Sequence, residues 1–330
     1  MNGVLHLSAA DVRRALPMTD AIAAMREAFA QLSRGEVTMP TRLHLDAPAD
    51  HGVALVMPCH SNAQKVFSVK IVTVFQNNVQ RGFPMIQATV ILTDATTGTP
   101  LAVMDGASVT AIRTGAASGL ATELLARANA TTAAVIGTGV QARTQLEAVC
   151  CARPIRTAQV YGRNADAAKR FAREMSEQLG VTVQCAESPA AAIKDAGVIC
   201  TATPSRAPLF ADADVPDGAH INAVGSFRPE MIEIPPATVC RARVIVDHRQ
   251  SAHEEAGDLL APMRAGLIQE THFGTELGEV VIGRAIGRRN AEEITLFKSV
   301  GVAIQDLCAA ARALENARRL HLGTLLNSAS

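Results

Sequence analysis

This 330-residue chain is poor in aromatic side chains and has no excess of either charge. It contains no tryptophan and one tyrosine, so few rings are available for stacking on nucleobases or sugars. Its 31 basic and 31 acidic residues balance, and no basic run with interleaved aromatics occurs, so we expect no nucleic-acid partner. No apolar run approaches the roughly 18 residues of a membrane span, so we expect no membrane partner either.

Cysteine usage and the first residues of the chain indicate a cellular compartment. The seven cysteines are irregularly spaced and include one adjacent pair, Cys150-Cys151, which is not the pattern of a disulfide framework. The beginning of the chain, MNGVLHLSAADVRRAL, lacks the charged and apolar regions of a signal peptide. We therefore expect reduced thiols and a cytoplasmic protein. The best cluster of histidine and acidic residues, at 247–254, fits no common zinc spacing, so we expect no metal.

Two domains are expected from the length, the 48% hydrophobic content and the order of predicted elements. Short strand-like runs separated by turn residues predict an α+β sheet domain in residues 1–118. From residue 131 onward strands and helices alternate, which indicates a doubly wound parallel sheet, a Rossmann domain, in residues 119–309. A long helix is predicted over residues 296–319, and we expect the segment from about 310 to 330 to rejoin the first domain.

A dinucleotide-binding fingerprint lies near the middle of the chain. The apolar run at 133–136 leads into GTGVQA, residues 137–142, and a helix-compatible segment follows. Gly137 permits the tight turn, Gly139 lets the backbone approach a pyrophosphate, and Ala142 keeps helix and strand close. The phosphates are expected over the helix N-terminus, where free N–H groups and the helix dipole favour negative charge.

The type of dinucleotide depends on the end of the next predicted strand, residues 158–161. Chains that bind NAD usually place an Asp or Glu there, whereas this chain has Gly162-Arg163-Asn164. Because a guanidinium suits a 2′-phosphate, we expect NADP(H) to be preferred over NAD(H). The alternative is that Arg163 is a solvated loop residue and that other positions select the cofactor.

Three cationic residues of the first domain are candidates for substrate binding. Lys70 interrupts an apolar strand, which is costly unless the ammonium is paired or faces a cavity. Arg113 stands near the start of an Ala-rich helix predicted over 111–128, where it suits bidentate binding of a carboxylate. Arg42 follows Met39-Pro40-Thr41. Taken singly, each could be a surface arginine, an edge-strand lysine or a structural ion pair; as a set they indicate an anionic substrate.

Motifs distributed over nearly the whole chain carry a family resemblance. They are Pro40-x-Arg42, Met57-Pro58, Lys70, QATVIL at 87–92, GxPLAVMD at 98–105, TAxRTxA at 110–116, GTGVQA at 137–142, INAVGS at 221–226, Val246-Asp247, Gly257-Asp258-Leu259 and LFKSVG at 296–301. With these motifs the chain resembles the ornithine cyclodeaminase/mu-crystallin family of NAD(P)-dependent enzymes. The GTGxQA and FKSVG motifs together are the most specific part of the match.

The resemblance implies a homodimer whose first domain, joined by the C-terminal helix, binds substrate and dimerises. It also implies that Arg42, Lys70 and Arg113 grip the carboxylate of a small substrate. We expect Lys70 to be the catalytic residue that delivers a proton, and solvent is the alternative proton source. The residues then expected to contact the cofactor are Gly137, Thr138, Gly139, Val140, Gln141, Ala142, Arg163, Asn164, Thr201, Ala202, Thr203, Val224, Gly225, Ser226, Lys298 and Ser299.

Two positions separate the activities within this family. Cyclodeaminases carry an Asp two residues after the glycine of the V-G motif, whereas this chain has Phe227, and Met85 falls where they tend to carry a substrate-contacting Thr. The form V-G-S-F-R-P-E is similar to the branch that reduces cyclic ketimines. We therefore expect reduction of Δ1-pyrroline-2-carboxylate to L-proline, and of Δ1-piperideine-2-carboxylate to L-pipecolate, with Lys70 keeping the imine protonated.

Three other functions stay open at the level of the sequence. The first is an amino-acid dehydrogenase of the same family that acts on an acyclic substrate such as alanine, because Met85, Phe227 and Arg228 do not decide the shape of the pocket. The second is ornithine cyclodeamination despite Phe227. The third is a non-catalytic protein that binds NADPH or another small ligand, although the complete fingerprint and the three cations argue against it.

Overall fold

The computed structural model describes residues 3–327. Numbered in chain order, its strands are β1 (Gly3–Leu7), β2 (Val37–Thr38), β3 (Leu43–Ala47), β4 (Gly52–Ser61), β5 (Val66–Phe75), β6 (Ile86–Asp94), β7 (Pro100–Asp105), β8 (Thr132–Ile136), β9 (Thr157–Tyr161), β10 (Thr182–Cys185), β11 (Val198–Thr201), β12 (His220–Ala223), β13 (Arg243–Val246), β14 (Thr275–Glu276), β15 (Thr295–Lys298) and β16 (Thr324–Asn327). Its α-helices are α1 (Ala9–Ala15), α2 (Met18–Arg34), α3 (Gly106–Leu125), α4 (Val140–Ala152), α5 (Ala165–Leu179), α6 (Pro189–Ile193), α7 (Pro236–Arg241), α8 (Arg249–Glu255), α9 (Gly257–Arg264), α10 (Leu277–Val281) and α11 (Ala303–Arg319).

The chain divides into two compact units, and the division falls inside α3. The first unit comprises the chain up to Arg113 together with the segment from Val302 onward. The second unit is Thr114–Gly301. The sequence analysis predicts the corresponding boundaries after residues 118 and 309.

The first unit is built on a mixed sheet with the order β16-β1-β7-β6-β5-β4-β2, and β3 also pairs with β4. Strands β3 to β7 form an antiparallel meander, while β1 runs parallel to β7. Helix α11 packs against α2 and against β4, β5 and β6. Burial alternates along β5, where Ser68, Lys70 and Val72 are buried and Phe67 and Ile71 are exposed, so one face of the sheet is covered by the helices.

The second unit contains an eight-stranded sheet in the order β10-β9-β8-β11-β12-β15-β13-β14. Every pairing between these strands is parallel. The two faces of β8 enter different apolar clusters, with Ile136 on one side and Val135 on the other. Strand order reverses between β8 and β11, and ligands of such sheets bind beyond the carboxyl ends of the strands at that point. The predicted combination of a doubly wound α/β domain and an α+β domain is therefore confirmed.

One predicted element is wrong in part. The long helix predicted over 296–319 is a buried parallel strand, β15, followed by α11, which begins at Ala303. Short apolar runs do not distinguish a buried strand from a helix by periodicity, and Leu296 and Phe297 are both fully buried in the sheet. Gly301, with φ +81°, separates the two elements.

Helix α3 begins earlier than predicted. It runs over Gly106–Leu125 instead of 111–128, because a Cβ on Gly106 would lie 2.8 Å from the backbone of Ala88 and Thr89, and glycine allows the helix to start against that strand. Over residues 3–327, none of the helices is both long and apolar enough to cross a lipid bilayer.

Candidate active site

The turn after β8 has the conformation that the fingerprint predicts. Gly137 has φ +122°, a backbone region that residues with a side chain rarely adopt. A Cβ on Gly137 would lie 2.6 Å from the carbonyl oxygen of Ala202. The Gly137 amide donates to the carbonyl of Tyr161 at 2.9 Å. Gly137 therefore lies between the ends of β9 and β11, where the strand order reverses.

The N-terminus of α4 is open and has no side-chain cap. Gly139 occupies the N-cap position, and a Cβ there would have no heavy atom of the described residues within 4 Å. The next residue, Val140, is 67% exposed, whereas Ala142 is buried against the sheet. Uncapped amides at the start of a helix of this length favour an anion, so this end of α4 fits the pyrophosphate of a dinucleotide.

The residues that follow β9 have distinct roles. Asn164 is the N-cap of α5, where its Oδ1 accepts from the amide of Ala167 at 2.9 Å. Arg163 is exposed. Gly162 lies against Thr138, since a Cβ on Gly162 would be 2.6 Å from Thr138 Cγ2. The Arg163 guanidinium is thus available beside the strand end at which the ribose of a bound dinucleotide is expected.

The predicted cofactor-binding residues fall into an accessible group and a buried group. The accessible or half-buried members are Gly137, Thr138, Gly139, Val140, Gln141, Arg163, Asn164, Ala202, Thr203 and Gly225. The buried members are Ala142, Thr201, Val224, Ser226, Lys298 and Ser299. The strand ends Ile136, Thr201, Ala223 and Lys298 are in register, so the residues that follow them line one edge of the sheet.

A buried carboxylate that sequence analysis missed organises this edge. Glu233 is fully buried. Its Oε2 accepts from the Thr201 hydroxyl at 2.9 Å and from the amides of Gly225 and Ser226 at 2.8 and 3.1 Å. Its Oε1 accepts from the amide and hydroxyl of Thr203 at 2.7 and 2.8 Å. The only signal in the sequence is an acidic residue between Ile232 and Ile234.

Lys298 binds the loop formed by residues 225–234. Its side chain is fully buried, and Nζ donates to the carbonyl of Ser226 and, at 2.9 Å, to Asp258 Oδ2. Asp258 Oδ1 accepts from the amides of Glu233 and Ile234 at 2.6 and 3.0 Å. We therefore replace the hypothesis that Lys298 contacts the cofactor directly with a hypothesis in which it positions the loop at 225–234.

Ser299 has a similar structural role directly after Lys298, at the end of the same strand. Its hydroxyl donates to Asp247 Oδ2 at 2.7 Å. The same oxygen accepts from the amides of Val300 and Gly301 at 3.0 and 2.7 Å. Asp247 thus holds the backbone turn between β15 and α11. In our hypothesis Ser299 is therefore also a positioning residue.

In the first unit, Lys70 is placed in an apolar environment. It lies in a cross-strand row with Met57, Val90 and Met104, and all four residues are at most 3% exposed. Side chains in such a row share one face of the sheet. The ammonium therefore needs a partner of opposite charge.

That partner is Asp306 of α11, which also binds Arg113. Lys70 Nζ lies 2.6 Å from Asp306 Oδ2, and Arg113 Nε lies 3.0 Å from Asp306 Oδ1. Arg113 Nη1 donates to Gln305 Oε1 at 2.8 Å. Gln305 Nε2 is buried without a hydrogen-bond partner among the described residues. The cluster thus holds two cations on one carboxylate and leaves a buried amide donor beside Arg113.

The pKa values of the two central groups, Lys70 and Asp306, are both lowered, for different reasons. Burial, with Arg113 and Arg42 nearby, lowers the pKa of Lys70 to about 8, although Asp306 opposes the shift. Burial acts to raise the pKa of Asp306, but Lys70 and Arg113 outweigh it and hold that pKa below its usual value. Lys70 therefore exchanges a proton near neutral pH, while Asp306 stays ionised.

Arg42 belongs to the same environment, since its charge acts on Lys70. It is half-buried and directly precedes β3. The structure thus brings Lys70 and Arg113 together through Asp306 and Gln305, two residues that the sequence analysis missed. Their signal in the sequence is weak: a polar Gln-Asp pair inside the apolar run of α11. No group of three or more metal-ligating side chains occurs among residues 3–327.

Comparison with known proteins identifies the family. The model of the ornithine cyclodeaminase/mu-crystallin family matches residues 4–320. The chain belongs to this family. The resemblance drawn from the fingerprint, the FKSVG motif and the cationic positions is thereby confirmed.

Individual members of the ornithine cyclodeaminase/mu-crystallin family cover almost the whole chain. A Δ1-pyrroline-2-carboxylate reductase of Bacillus cereus is 38% identical over 315 residues, which are 95% of this chain and 97% of the relative. The Thermococcus litoralis Δ1-pyrroline-2-carboxylate reductase, solved with NADH and L-proline, superimposes with a TM-score of 0.94 at 40% identity and covers 97% of this chain and 99% of its own. An archaeal alanine dehydrogenase dimer with bound NAD gives a TM-score of 0.91 at 33% identity, with 98% of each chain covered.

Proposed function

We propose that this protein reduces Δ1-pyrroline-2-carboxylate to L-proline with a nicotinamide dinucleotide, and the six-membered Δ1-piperideine-2-carboxylate to L-pipecolate. The observation that carries the proposal is the buried cluster of Lys70, Asp306 and Arg113. Two cations on one carboxylate leave a net positive charge, which suits a small anionic substrate. The similarity to reductases of this substrate, among them the one solved with NADH and L-proline, supports the choice of a cyclic imino acid.

The proposed chemistry assigns one task to each residue of the cluster. The nicotinamide, when bound, supplies a hydride. Arg113 binds the ring carboxylate through its guanidinium. Nε2 of Gln305, which has no partner within residues 3–327, donates a further hydrogen bond to the same group. Arg42 adds positive charge on this side. Asp306 keeps Lys70 and Arg113 together, which fixes the carboxylate relative to the imine.

Lys70 is the proposed catalytic residue. Its ammonium donates a proton to the imine nitrogen, which leaves Lys70 as a neutral amine and makes the imine carbon more electrophilic. In the reduction one C–H bond forms at that carbon, the π bond of the imine breaks, and the nitrogen retains the proton. The pKa of about 8 keeps Lys70 largely protonated at neutral pH and still able to release the proton.

The test is to follow the loss of NADPH and NADH absorbance with purified protein and Δ1-pyrroline-2-carboxylate. Fast oxidation with the cyclic imine, and L-proline as the product, would support the proposal. Pyruvate with ammonia serves as the control substrate, because an alanine dehydrogenase is similar over the whole chain. Oxidation with pyruvate and ammonia but not with the ring would instead assign an acyclic substrate. Release of ammonia from ornithine would assign cyclodeamination.

We propose that NADP(H) is preferred over NAD(H), with Arg163 binding the 2′-phosphate. The exposed guanidinium after β9 and the absence of an acidic residue at 162–164 support this choice. Arg163→Asp should lower kcat/KM with NADPH by roughly 10- to 100-fold, the equivalent of one charged hydrogen-bond partner, and should spare NADH. Arg156→Asp, which changes an exposed arginine before the same strand, is the matched control. An unchanged ratio of the two efficiencies would contradict the assignment.

We propose that the protein is a homodimer formed through the exposed face of the sheet in the first unit. This face carries apolar side chains in cross-strand rows, for example Leu43 and Ile71, which both pair with Val56. Leu43, Leu45, Phe67, Ile71 and Ile91 are 36–60% exposed, which is unusual for a monomer surface. A second copy of the chain would cover them, and the similarity to an alanine dehydrogenase dimer supports this occupant.

Two measurements test the assembly and the location. Light scattering after size exclusion should give twice the chain mass of 34.7 kDa, and Leu45→Glu should shift it toward the single-chain mass. A wild-type protein of single-chain mass would contradict the dimer. We also propose a cytoplasmic location; all seven cysteines are unpaired, which a reducing compartment allows, and cell fractionation tests it.

A further inference from the structure

The Glu233 carboxylate is surrounded by hydrogen-bond donors. Three of the five groups that contact it are backbone amides, those of Thr203, Gly225 and Ser226. The other two are the hydroxyls of Thr201 and Thr203. Backbone amides can only donate, so the group they point to must accept at both oxygens. An ionised carboxylate meets this condition, whereas a carboxamide would turn an NH2 group toward at least one amide.

These contacts join two loops that follow neighbouring strands. Thr203 follows β11, and Gly225 and Ser226 follow β12. The approach is close: a Cβ on Gly225 would lie 2.4 Å from Thr203 N and 2.5 Å from Glu233 Oε1. Glycine is therefore required at 225. The separation between the two loops is set by the carboxylate to which both are bound.

The other hydrogen bonds of the loop at 225–234 do not supply an acceptor that could replace the Glu233 carboxylate. Lys298 binds the carbonyl of Ser226, and the Ser226 hydroxyl donates to the carbonyl of Met231 at 2.6 Å. Asp258 binds the amide of Glu233 itself. Without the Glu233 carboxylate, the amides of Gly225 and Ser226 would face a buried space with no acceptor, and such unsatisfied groups make the local backbone move.

We propose that Glu233 is a positioning residue, whose carboxylate holds the backbone at 203 and 225–226 in the arrangement that receives the nicotinamide end of the dinucleotide. This inference rests on the proposed dinucleotide-dependent function. It places Glu233 behind the binding surface, in contact with the loops and not with the cofactor. The parallel sheet supports this location, because ligands bind beyond the carboxyl ends of its strands.

The charge state of Glu233 supplies a second readout. Burial and the nearby Asp258 raise its pKa to about 7, while Lys298 and the donors from Thr203 act in the opposite direction. Asp258 on α9 and Lys298 on β15 are the charged groups that act on it among the described residues. As the pH falls through about 7, the carboxylate gains a proton and loses acceptor capacity, so cofactor affinity should weaken on the acid side.

The experiment compares wild type, Glu233→Gln, Glu233→Asp and the control Asp212→Asn. Asp212 is a carboxylate of the same unit that binds Thr238 and Arg241 ahead of β13, away from the carboxyl ends of the strands. Calorimetry gives the Kd for NADPH without substrate at several pH values. Hydrogen exchange of the peptide over residues 224–232 is measured in cofactor-free protein, and steady-state kinetics with Δ1-pyrroline-2-carboxylate give kcat and KM.

Glu233→Gln should raise the Kd for NADPH at least about tenfold and lower kcat/KM about 100-fold, the effect of a displacement of about 1 Å. It should also speed exchange in the 224–232 peptide and remove the acid-side weakening of binding. Glu233→Asp keeps the charge and should recover part of the affinity. Asp212→Asn should leave Kd and the exchange of this peptide unchanged.

A Glu233→Gln protein with wild-type Kd, exchange and kinetics would overturn the proposal. If that variant does not fold, the proposal is tested with Glu233→Asp and with the Kd of the wild type for NADPH at several pH values. A flat Kd between about pH 5.5 and 8, the range around the pKa of about 7, together with unchanged exchange in Glu233→Asp would then overturn it. Failure of the proposed function is distinguishable, because the wild type itself then does not reduce the imine, whereas the Kd for the dinucleotide and the hydrogen exchange are measured without substrate.

Discussion

The protein contains two buried lysine–carboxylate clusters, which differ in the sign of their excess charge and in the groups that satisfy it. In the first unit, Lys70 and Arg113 share Asp306, so positive charge is in excess and a buried amide donor of Gln305 lacks a partner among the described residues. In the second unit, Lys298 faces Asp258 and the loop held by Glu233, so carboxylates outnumber the cation. There, backbone amides satisfy the extra negative charge.

This difference is the basis on which we assign a catalytic role to the first cluster and a supporting role to the second. A lysine in a salt bridge is not by itself a functional residue, because Lys70 and Lys298 lie 2.6 and 2.9 Å from their aspartate partners. What matters is whether protein groups complete the hydrogen bonding of the cluster. In our proposal, the Lys70 cluster receives an anion through the Gln305 donor that has no partner among the described residues. The carboxylates of the Lys298 cluster instead accept from backbone amides, and we propose that this cluster holds the loop.

The largest expected effect is that of Lys70→Met. Removing the ammonium should lower kcat for imine reduction by about 10²- to 10⁴-fold at saturating substrate, the usual contribution of a positioned acid. Arg113 still neutralises Asp306, so the fold should persist. Lys65→Met, at an exposed lysine just before the same strand, should keep wild-type kcat. Near-normal turnover in Lys70→Met would remove the catalytic role of that residue.

Lys298→Met should have its main effect on stability and on cofactor binding. It leaves Asp258 buried without a cation, which costs about 3–5 kcal/mol of unfolding free energy, measured by chemical denaturation. KM for the dinucleotide should rise about tenfold because the Ser226 carbonyl loses its donor, while kcat at saturation should change little. A loss of kcat as large as that of Lys70→Met would break the distinction between the two clusters.

The smallest effect is a displacement of the pH profile. Lys70 loses its proton as the pH rises through about 8, so kcat for reduction should fall on the alkaline side. Arg42→Gln removes a charge that lowers the pKa of Lys70, and the alkaline limb should therefore move to higher pH. Asp306→Asn removes a charge that raises that pKa, and the limb should move to lower pH.

The titration of the substrate imine is common to all these proteins, so only the displacement between variants is diagnostic. Rates measured across the alkaline range at saturating substrate give the midpoint for each protein. Identical midpoints in wild type, Arg42→Gln and Asp306→Asn would assign the alkaline limb to a group other than Lys70.

Sequence patterns predicted the elements that local chemistry determines. The GTGVQA turn was recognisable because a glycine at φ +122° and an uncapped helix start follow from residue types that are adjacent in the chain. Lys70 stood out because a charge inside an apolar strand has to be paired. The parallel sheet was predictable because helices and strands differ in the period of their apolar residues. The regular alternation of the two after residue 131 is typical of a parallel sheet.

Residues whose role depends on distant partners were not predicted. Asp306 bonds to Arg113 across 193 positions of the chain, and Glu233 bonds to Thr201 across 32, so the local sequence carries only a weak signal for either residue. The residues at 296–298 are predicted as part of a helix because a short apolar run fits both periods. Their pairing with β12 and β13 made them part of a strand.

The sequence by itself thus determined the dinucleotide fingerprint, the fold class and the cations of the first unit, because each depends on residues close together in the chain. Which charges pair, and which buried donors have no partner among the described residues, depends on contacts between distant parts of the chain. Lys70 and Lys298 both stand in short, mainly apolar stretches of sequence, SVKIV and LFKSV. Both are buried, and they differ in the supply of backbone amides around their carboxylate partners. This difference is the basis of our proposal that the Lys70 cluster binds a ligand and the Lys298 cluster holds a loop.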